Sequence, residues 1–155
     1  MHSKISHLSK NEQDLINQAP ILISLLISGA DGNFDNSEIT KAVKIIHIKS
    51  YAESRNVRGV YKNIDNQSEE LIAALINDLP KETFERTNAL IDKLKGLNSI
   101  FSKLDHSFAI DLYKSLRELA YYVSQAHSGD LGIGFHNEQE KELAHLEFLN
   151  EPKSL

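Results

Sequence analysis

Apolar residues recur along much of this 155-residue chain at intervals of three and four, the spacing that places side chains on one face of an α-helix. Ser9 and Glu12 have the spacing of a capping box, which predicts a helix that begins near Lys10 and continues into the apolar run at 21–27. Pro20 lies within this segment, so we expect a kink or a restart there.

A turn at Gly32 separates this helix from a second one, which the apolar spacing predicts over about 36–51. The segment 55–62 holds three basic side chains around Gly59, and we interpret it as a solvated loop. An apolar stripe at 71–79 predicts the third helix.

Asn66 and Ser68 are candidate caps for that third helix, and Pro80 suits the first turn of the next one. Apolar steps of three or four then continue from 84 to 104, which predicts one long helix that passes through Gly96. A break is expected at 105–107.

The last part of the chain predicts a helix over 108–123 that ends before Gly129, and a final helix through 143–149. No segment alternates with the period of a strand. The pattern therefore predicts an all-α, single-domain helical bundle of about six to seven helices, with the domain at 10–150 and tails at 1–9 and 151–155. Gly32 and Gly129 are each expected to end an apolar helix before an acidic helix start, which predicts two pseudo-repeated halves.

The composition fits this picture, with 41% hydrophobic and 25% charged residues, and cysteine is absent, which excludes disulfides and thiolate sites. A net charge of -5 and scattered basic residues argue against nucleic acid as a partner. The most apolar stretch, 19–30, is too short to cross a bilayer, so we expect a buried helix and no direct membrane insertion. A cytoplasmic location is the resulting expectation.

Candidate chemistry is concentrated between the first two helices. Asp31, Asn33 and Asp35 match alternate positions of an EF-hand loop, but Asn36 and Ala42 stand where that loop needs glycine and glutamate. A standard EF-hand is therefore excluded. Oxygen-bearing side chains are nevertheless the ligands that hard cations prefer, and Ca2+ is favoured over Mg2+, Mn2+ or Zn2+.

A different cation geometry remains open, with ligands from Asp31, Asp35 and Glu38 and a weaker contribution from Asn33. Helix capping explains the same residues. Asp35 and Glu38 have capping-box spacing, Phe34 and Ile39 have the spacing of a hydrophobic staple, and Asp31-Gly32 is a normal helix-terminating turn.

The second half repeats this pattern in part. Asn137 and Glu140 have the same capping spacing, but Ser128 stands where the first half has aspartate. Asp130, His136 and Glu140 are weaker candidate ligands.

Histidine gives no stronger site. Glu142 and His145 spell one Glu-x-x-His, whereas di-iron bundles need two, so we interpret His127, His136 and His145 as surface residues. His47 is expected to be a partly buried structural histidine. No nucleophile motif is present, so no catalytic residue is assigned.

The motif Ala30-Asp31-Gly32, followed by Glu38 seven residues after the aspartate and set between two apolar helices, resembles the TerB-like family of tellurite-resistance proteins. The resemblance covers about 11–149. It implies an all-helical domain with internal pseudo-symmetry and an acidic cation site at Asp31, Asp35 and Glu38. It also implies a role in stress responses, divalent metal binding, and protein partners in a complex near the inner membrane face. Ser128 departs from the second copy of the motif and puts a symmetric metal cluster in doubt.

Three functions compete at this point. The first is a non-enzymatic binding module in which a cation orders the turn and fixes a surface for a partner protein. The second is a metal-dependent enzyme that uses the same acidic cluster beside a substrate cleft. The third is a structural interaction domain that binds no metal.

Overall fold

Seven α-helices make up the fold of the computed structural model, which describes residues 4–30, 32, 34, 36–131 and 142–153, with the backbone alone for 126–131. No strand occurs in these ranges. The all-α prediction is confirmed. The helices are α1 Lys10–Ser28, α2 Asn36–Ala52, α3 Arg55–Asp65, α4 Ser68–Asp78, α5 Thr83–Lys95, α6 Leu97–Phe101 and α7 His106–Leu131.

The central element is α1, which contacts all six of the other helices. Every residue from Ala19 to Ser28 is buried, which confirms the prediction that this apolar stretch is a core helix. Such all-round burial is the expected outcome for a helix that is apolar on every face. Within the described ranges, no helix combines the length and the apolar character needed to cross a membrane.

The start of α1 is formed as predicted. Glu12 donates its backbone N–H to the Ser9 Oγ at 3.1 Å, and the Ser9 N–H is bound by the Glu12 carboxylate at 3.0 Å. The expected restart at Pro20 does not occur, since α1 continues through it. Packing on all sides compensates for the roughly 3 kcal/mol that an internal proline costs a helix. The Ser24 hydroxyl also donates to the Pro20 carbonyl at 2.8 Å.

The loop predicted at 55–62 is wrong, because Arg55–Asp65 forms α3. Between the basic side chains lies an apolar stripe at helical spacings of three and four, which the sequence analysis did not take into account. All four of its members are buried: Val57, Val60, Tyr61 and Ile64. Gly59 lies within this helix.

The cap assignments around the next two helices were also wrong. Ser68 is the first residue of α4 and its hydroxyl donates to the Ile64 carbonyl at 2.9 Å, while Asn66 ends α3. Pro80 precedes α5, whose N-cap is Glu82. Local hydrogen-bonding options thus decided these helix boundaries in ways that residue type alone did not predict.

The long helix predicted over 84–104 is divided at Gly96 into α5 and α6. The Gly96 N–H bonds to the Lys93 carbonyl at 3.1 Å, a tighter connection than the α-helical one. A Cβ at Gly96 would lie 2.9 Å from the Leu15 Cδ2 of α1. Close approach of α1 at this point accounts for the glycine.

Two predictions near the carboxyl end were wrong. Helix α7 continues to Leu131 and passes through Gly129, which therefore does not end a helix; one glycine costs an established helix only about 1 kcal/mol. Of the final helix predicted through 143–149, only residue 143 is helical, together with residue 142 before it. Turns with i to i+3 bonds follow, among them Leu146 N–H to Leu143 O and Leu149 N–H to Leu146 O, both 3.0 Å. The three-residue leucine spacing fits these tighter turns.

Candidate functional site

The α1–α2 turn, residues 29–35, contains the Ala30-Asp31-Gly32 motif. The Gly29 N–H bonds to the Leu25 carbonyl at 3.0 Å and the Gly32 N–H to the Gly29 carbonyl at 3.2 Å. Gly32 has φ +111°, a conformation that L side chains rarely adopt. The predicted turn at Gly32 is confirmed, but α1 already ends at Ser28, with Gly29 as its C-cap.

The predicted ligands are only partly placed by the structure. Glu38 lies in the first turn of α2. Asp31, Asn33, Asp35, His136 and Glu140 lie outside the described residues, and for Asp130 only the backbone, inside α7, is described. Within the described part of the chain, no three histidine or acidic side chains are grouped to hold a metal ion.

Two oxygen-bearing side chains are buried at the ends of the helices that flank this turn. Glu38 exposes 1% of its surface, at the amino end of α2, where the helix dipole favours negative charge. Ser28, the last residue of α1, is completely buried, and its hydroxyl has no hydrogen-bond partner among the described residues. A buried hydroxyl such as that of Ser28 needs a compensating interaction, and the carboxylate of Glu38 is an oxygen ligand of the kind that hard cations prefer.

A buried arginine from α5 also holds the turn, and the sequence patterns did not identify it. Arg86 donates from Nη2 to the Gly29 carbonyl at 2.8 Å and to the Gly32 carbonyl at 3.3 Å. Its guanidinium carbon lies 4.5 Å from the centre of the Phe34 ring. One planar, permanently charged group thus binds both carbonyls and packs on an aromatic face.

The phase of the α5 stripe explains why Arg86 was missed. The predicted stripe started at Phe84, whose side chain is exposed, whereas the buried face consists of Arg86, Leu90 and Leu94. These three residues are spaced by four, so the buried helical stripe includes a charged residue. This spacing was the sequence signal that could have indicated the burial of Arg86.

Gly29 permits the close contact between these groups. A Cβ at Gly29 would lie 2.9 Å from the Phe34 Cε1, 3.1 Å from the Arg86 Nη2 and 3.2 Å from the Leu25 carbonyl oxygen. Any larger side chain would therefore separate the arginine from the turn.

A second buried cation, Lys49 of α2, was also not predicted. Its ammonium group lies 2.8 Å from a Glu53 carboxylate oxygen and 2.5 Å from one of Glu118 on α7. The Ser115 hydroxyl donates to Glu53 at 2.6 Å and lies 2.7 Å from the Tyr61 hydroxyl of α3. We call these five residues the Lys49 cluster; it connects α2, α3 and α7.

The electrostatics of the Lys49 cluster favour an ionised Glu53. Burial raises the pKa of Glu53, but hydrogen bonds from Lys49, Ser115 and the Ser54 N–H outweigh it and hold the pKa below its ordinary value of 4.5. Burial raises the pKa of Tyr61, which keeps the phenol neutral. The cluster is therefore a paired structural network at neutral pH.

The histidines do not extend the site. His47 is exposed, not partly buried as predicted, because it lies on the outer face of α2, with Nδ1 3.0 Å from both carboxylate oxygens of Asp65. His145 is at the surface, as predicted. The side chains of His127 and His136 lie outside the described residues.

A groove of about 480 Å³ opens beside the turn, between the start of α5 and the segment that follows residue 141. Ala30 lines it from the turn, and Thr83 lines it from α5. The Thr83 Oγ1 would lie 3.5 Å from a Cβ on Gly32, so the groove and the turn are neighbours. The volume lies within the range of ligand sites, roughly 300–1,000 Å³.

Comparison with known proteins does not identify a family for this chain. No family model, no curated protein and no solved structure matches it.

Proposed function

We propose that this chain is a TerB-like, non-enzymatic module of a stress response that binds a divalent cation at the α1–α2 turn and acts through protein partners. The observation that supports the cation site is the burial of Ser28 and Glu38 on either side of a turn that also contains Asp31 and Asp35 in sequence. Buried oxygen groups at both ends of an acidic turn are the chemistry that Ca2+ prefers.

In this proposal Asp31, Asp35 and Glu38 hold the ion, with Asn33 as a further ligand. The cation supplies positive charge that removes the repulsion among the carboxylates. Arg86 holds the turn through the Gly29 and Gly32 carbonyls, so these two contacts position the backbone without a carboxylate. Ordering of the turn would then connect the end of α1 to the start of α2.

Oxygen ligands favour Ca2+, and Mg2+, Mn2+ and Zn2+ are the alternatives. We also propose that the chain consists of two TerB-like halves and that Asp130, His136 and Glu140 are weaker ligands in the second half. Continuation of α7 through Gly129 gives that repeat no support. The proposed partners are proteins, in a membrane-associated complex or elsewhere in the cytoplasm.

Thermal unfolding after EDTA treatment, with and without millimolar cation, tests the proposal. A cation at about a hundred times its dissociation constant adds ~2.7 kcal/mol and raises the midpoint by roughly 5–11 °C. Asp31→Asn should abolish the shift, whereas Asp92→Asn, on the exposed face of α5, should retain it. Equal midpoints in all conditions would leave the acidic residues as helix caps.

A metal-dependent enzyme is the second candidate, because the groove lies next to the turn. It requires an open coordination position at which a substrate in the groove meets the ion. Thr83 and Thr87 supply hydroxyls there, but the described lining includes neither histidine nor serine. The binding module therefore remains the preferred function.

A further inference from the structure

The charged side chains that line the groove beside the turn, among the described residues, are all acidic. Its ionisable lining residues are three glutamates, Glu82, Glu142 and Glu147, and the described lining includes no lysine or arginine. Glu142 and Glu147 are exposed. Several carboxylates around one concave surface create a local negative potential that attracts cationic ligands.

The remaining surface of the groove is largely apolar. Ala30, Leu143 and Phe148 line it, and Phe84 lies at its margin with 71% of its surface exposed. Burial of the Phe84 ring against a partner would remove apolar surface from water, which is favourable. Aromatic side chains also attract cations to their ring faces.

We propose that this acidic groove binds a short basic segment of a partner protein, with one apolar side chain against Phe84 and Phe148 and Lys or Arg side chains at Glu142 and Glu147. The inference rests on the proposed function only in taking a protein as partner. It does not require a cation at the turn.

Charge selects this occupant over others. A second copy bound by the same face would place three glutamates against three glutamates, which opposes a two-fold dimer. Nucleic acid would meet the same repulsion. The three glutamates do not form a grouping that could hold a metal ion among the described residues.

Fluorescence anisotropy with a labelled amphipathic peptide of lysine and leucine tests this inference, in EDTA and at about 0.15 M salt. The wild-type chain should bind it saturably and should not bind the same peptide with glutamate for lysine. A Glu142→Gln/Glu147→Gln double variant should bind about tenfold more weakly, as should Phe84→Ala. All three positions are exposed at the surface, so folding should be preserved.

The matched control is Glu69→Gln/Glu70→Gln, which removes two exposed glutamates from α4, outside the groove lining. It should retain wild-type affinity. Equal weakening in this control, no saturable binding, or displacement by spermidine at the same concentration per charge would overturn the inference. The anisotropy assay is done in EDTA, so it is independent of a cation at the turn. Peptide binding in the groove, together with a thermal midpoint that no cation shifts, would contradict the cation site alone. A cation-dependent midpoint with no peptide binding would contradict the groove alone.

Discussion

Among the described residues, two cationic side chains are buried, and they are satisfied in different ways. Arg86 donates to two backbone carbonyls of the α1–α2 turn and packs on Phe34, groups that do not titrate. Lys49 instead pairs with the carboxylates of Glu53 and Glu118. The turn is therefore held by a contact that is independent of pH, and the α2–α3–α7 junction by one that depends on ionised acids.

This contrast bears on function. Arg86 binds carbonyls of the α1–α2 turn, the segment at which we propose a divalent cation. The Lys49 cluster contains acidic counter-charges of its own, and we propose no external ion there. Perturbing each cation separately should reveal the difference.

Removal of the arginine should have the largest effect. Arg86→Met leaves the buried Gly29 carbonyl and the partly buried Gly32 carbonyl without this donor, and should lower the free energy of unfolding by roughly 2–4 kcal/mol. Arg86→Lys keeps the charge but loses the planar fork, so an intermediate loss is expected. Urea denaturation measures both. A loss below about 0.5 kcal/mol in Arg86→Met would contradict the assigned role of Arg86.

Gly29→Ala should have the next largest effect, because its methyl group would meet Phe34, Arg86 and a backbone carbonyl. We expect a loss of about 1–3 kcal/mol, measured in the same way.

Gly96→Ala is the matched control for Gly29→Ala. A backbone carbonyl lies 3.2 Å from the added Cβ in both variants, but the other contact at Gly96 is only the flexible end of Leu15. The backbone at Gly96 is already helical, so the net change should stay within about 1 kcal/mol. Equal losses in both variants would show that general crowding, not the contact with Arg86, makes Gly29 sensitive.

The smallest predicted effect is on the pH dependence of stability, which should differ between the contacts of Lys49 and those of Arg86. The pKa of Glu53 is held below 4.5 in the folded protein, so its ionisation stabilises the fold above its unfolded-state pKa. This stability is lost as the pH falls through the lower, folded-state value. Glu53→Gln should therefore be less stable than wild type at neutral pH, and the difference should shrink in acid.

The control for this pH experiment is Arg86→Met, whose destabilisation should not vary over the same range. A hydrogen bond from Lys103 lowers the pKa of Glu12 as well, but this contribution is common to all three proteins. Unfolding curves between about pH 3 and 7 make the comparison. A constant difference between Glu53→Gln and wild type would contradict the electrostatic role of Glu53.

The sequence predicted the parts of the fold that depend on local rules. The α1 capping box, the Gly32 turn and the extent of α2 follow from short-range spacing, and all three are confirmed. Failures came where tertiary packing decided the outcome. Helix α1 continues through Pro20 within the core, and α3 has an apolar stripe in addition to its basic residues.

Both buried cations were missed for a common reason. Arg86 and Lys49 occupy positions on the buried stripes of α5 and α2, and the sequence analysis counted only apolar residues in these stripes. The helical period indicates that both side chains are buried. Glu53 is a local i,i+4 partner of Lys49, but Gly29 and Glu118 lie 57 and 69 residues away from Arg86 and Lys49, so these contacts were not predictable.

The central claim is that the α1–α2 turn binds one divalent cation, and isothermal titration calorimetry of Ca2+ into EDTA-treated protein tests it most directly. The account predicts one saturable site per chain that is lost in Asp31→Asn and retained in Asp92→Asn. Mg2+, Mn2+ and Zn2+ are titrated in parallel to establish the metal preference. No saturable binding of any of the four ions, or binding of equal affinity in both variants, would contradict the claim.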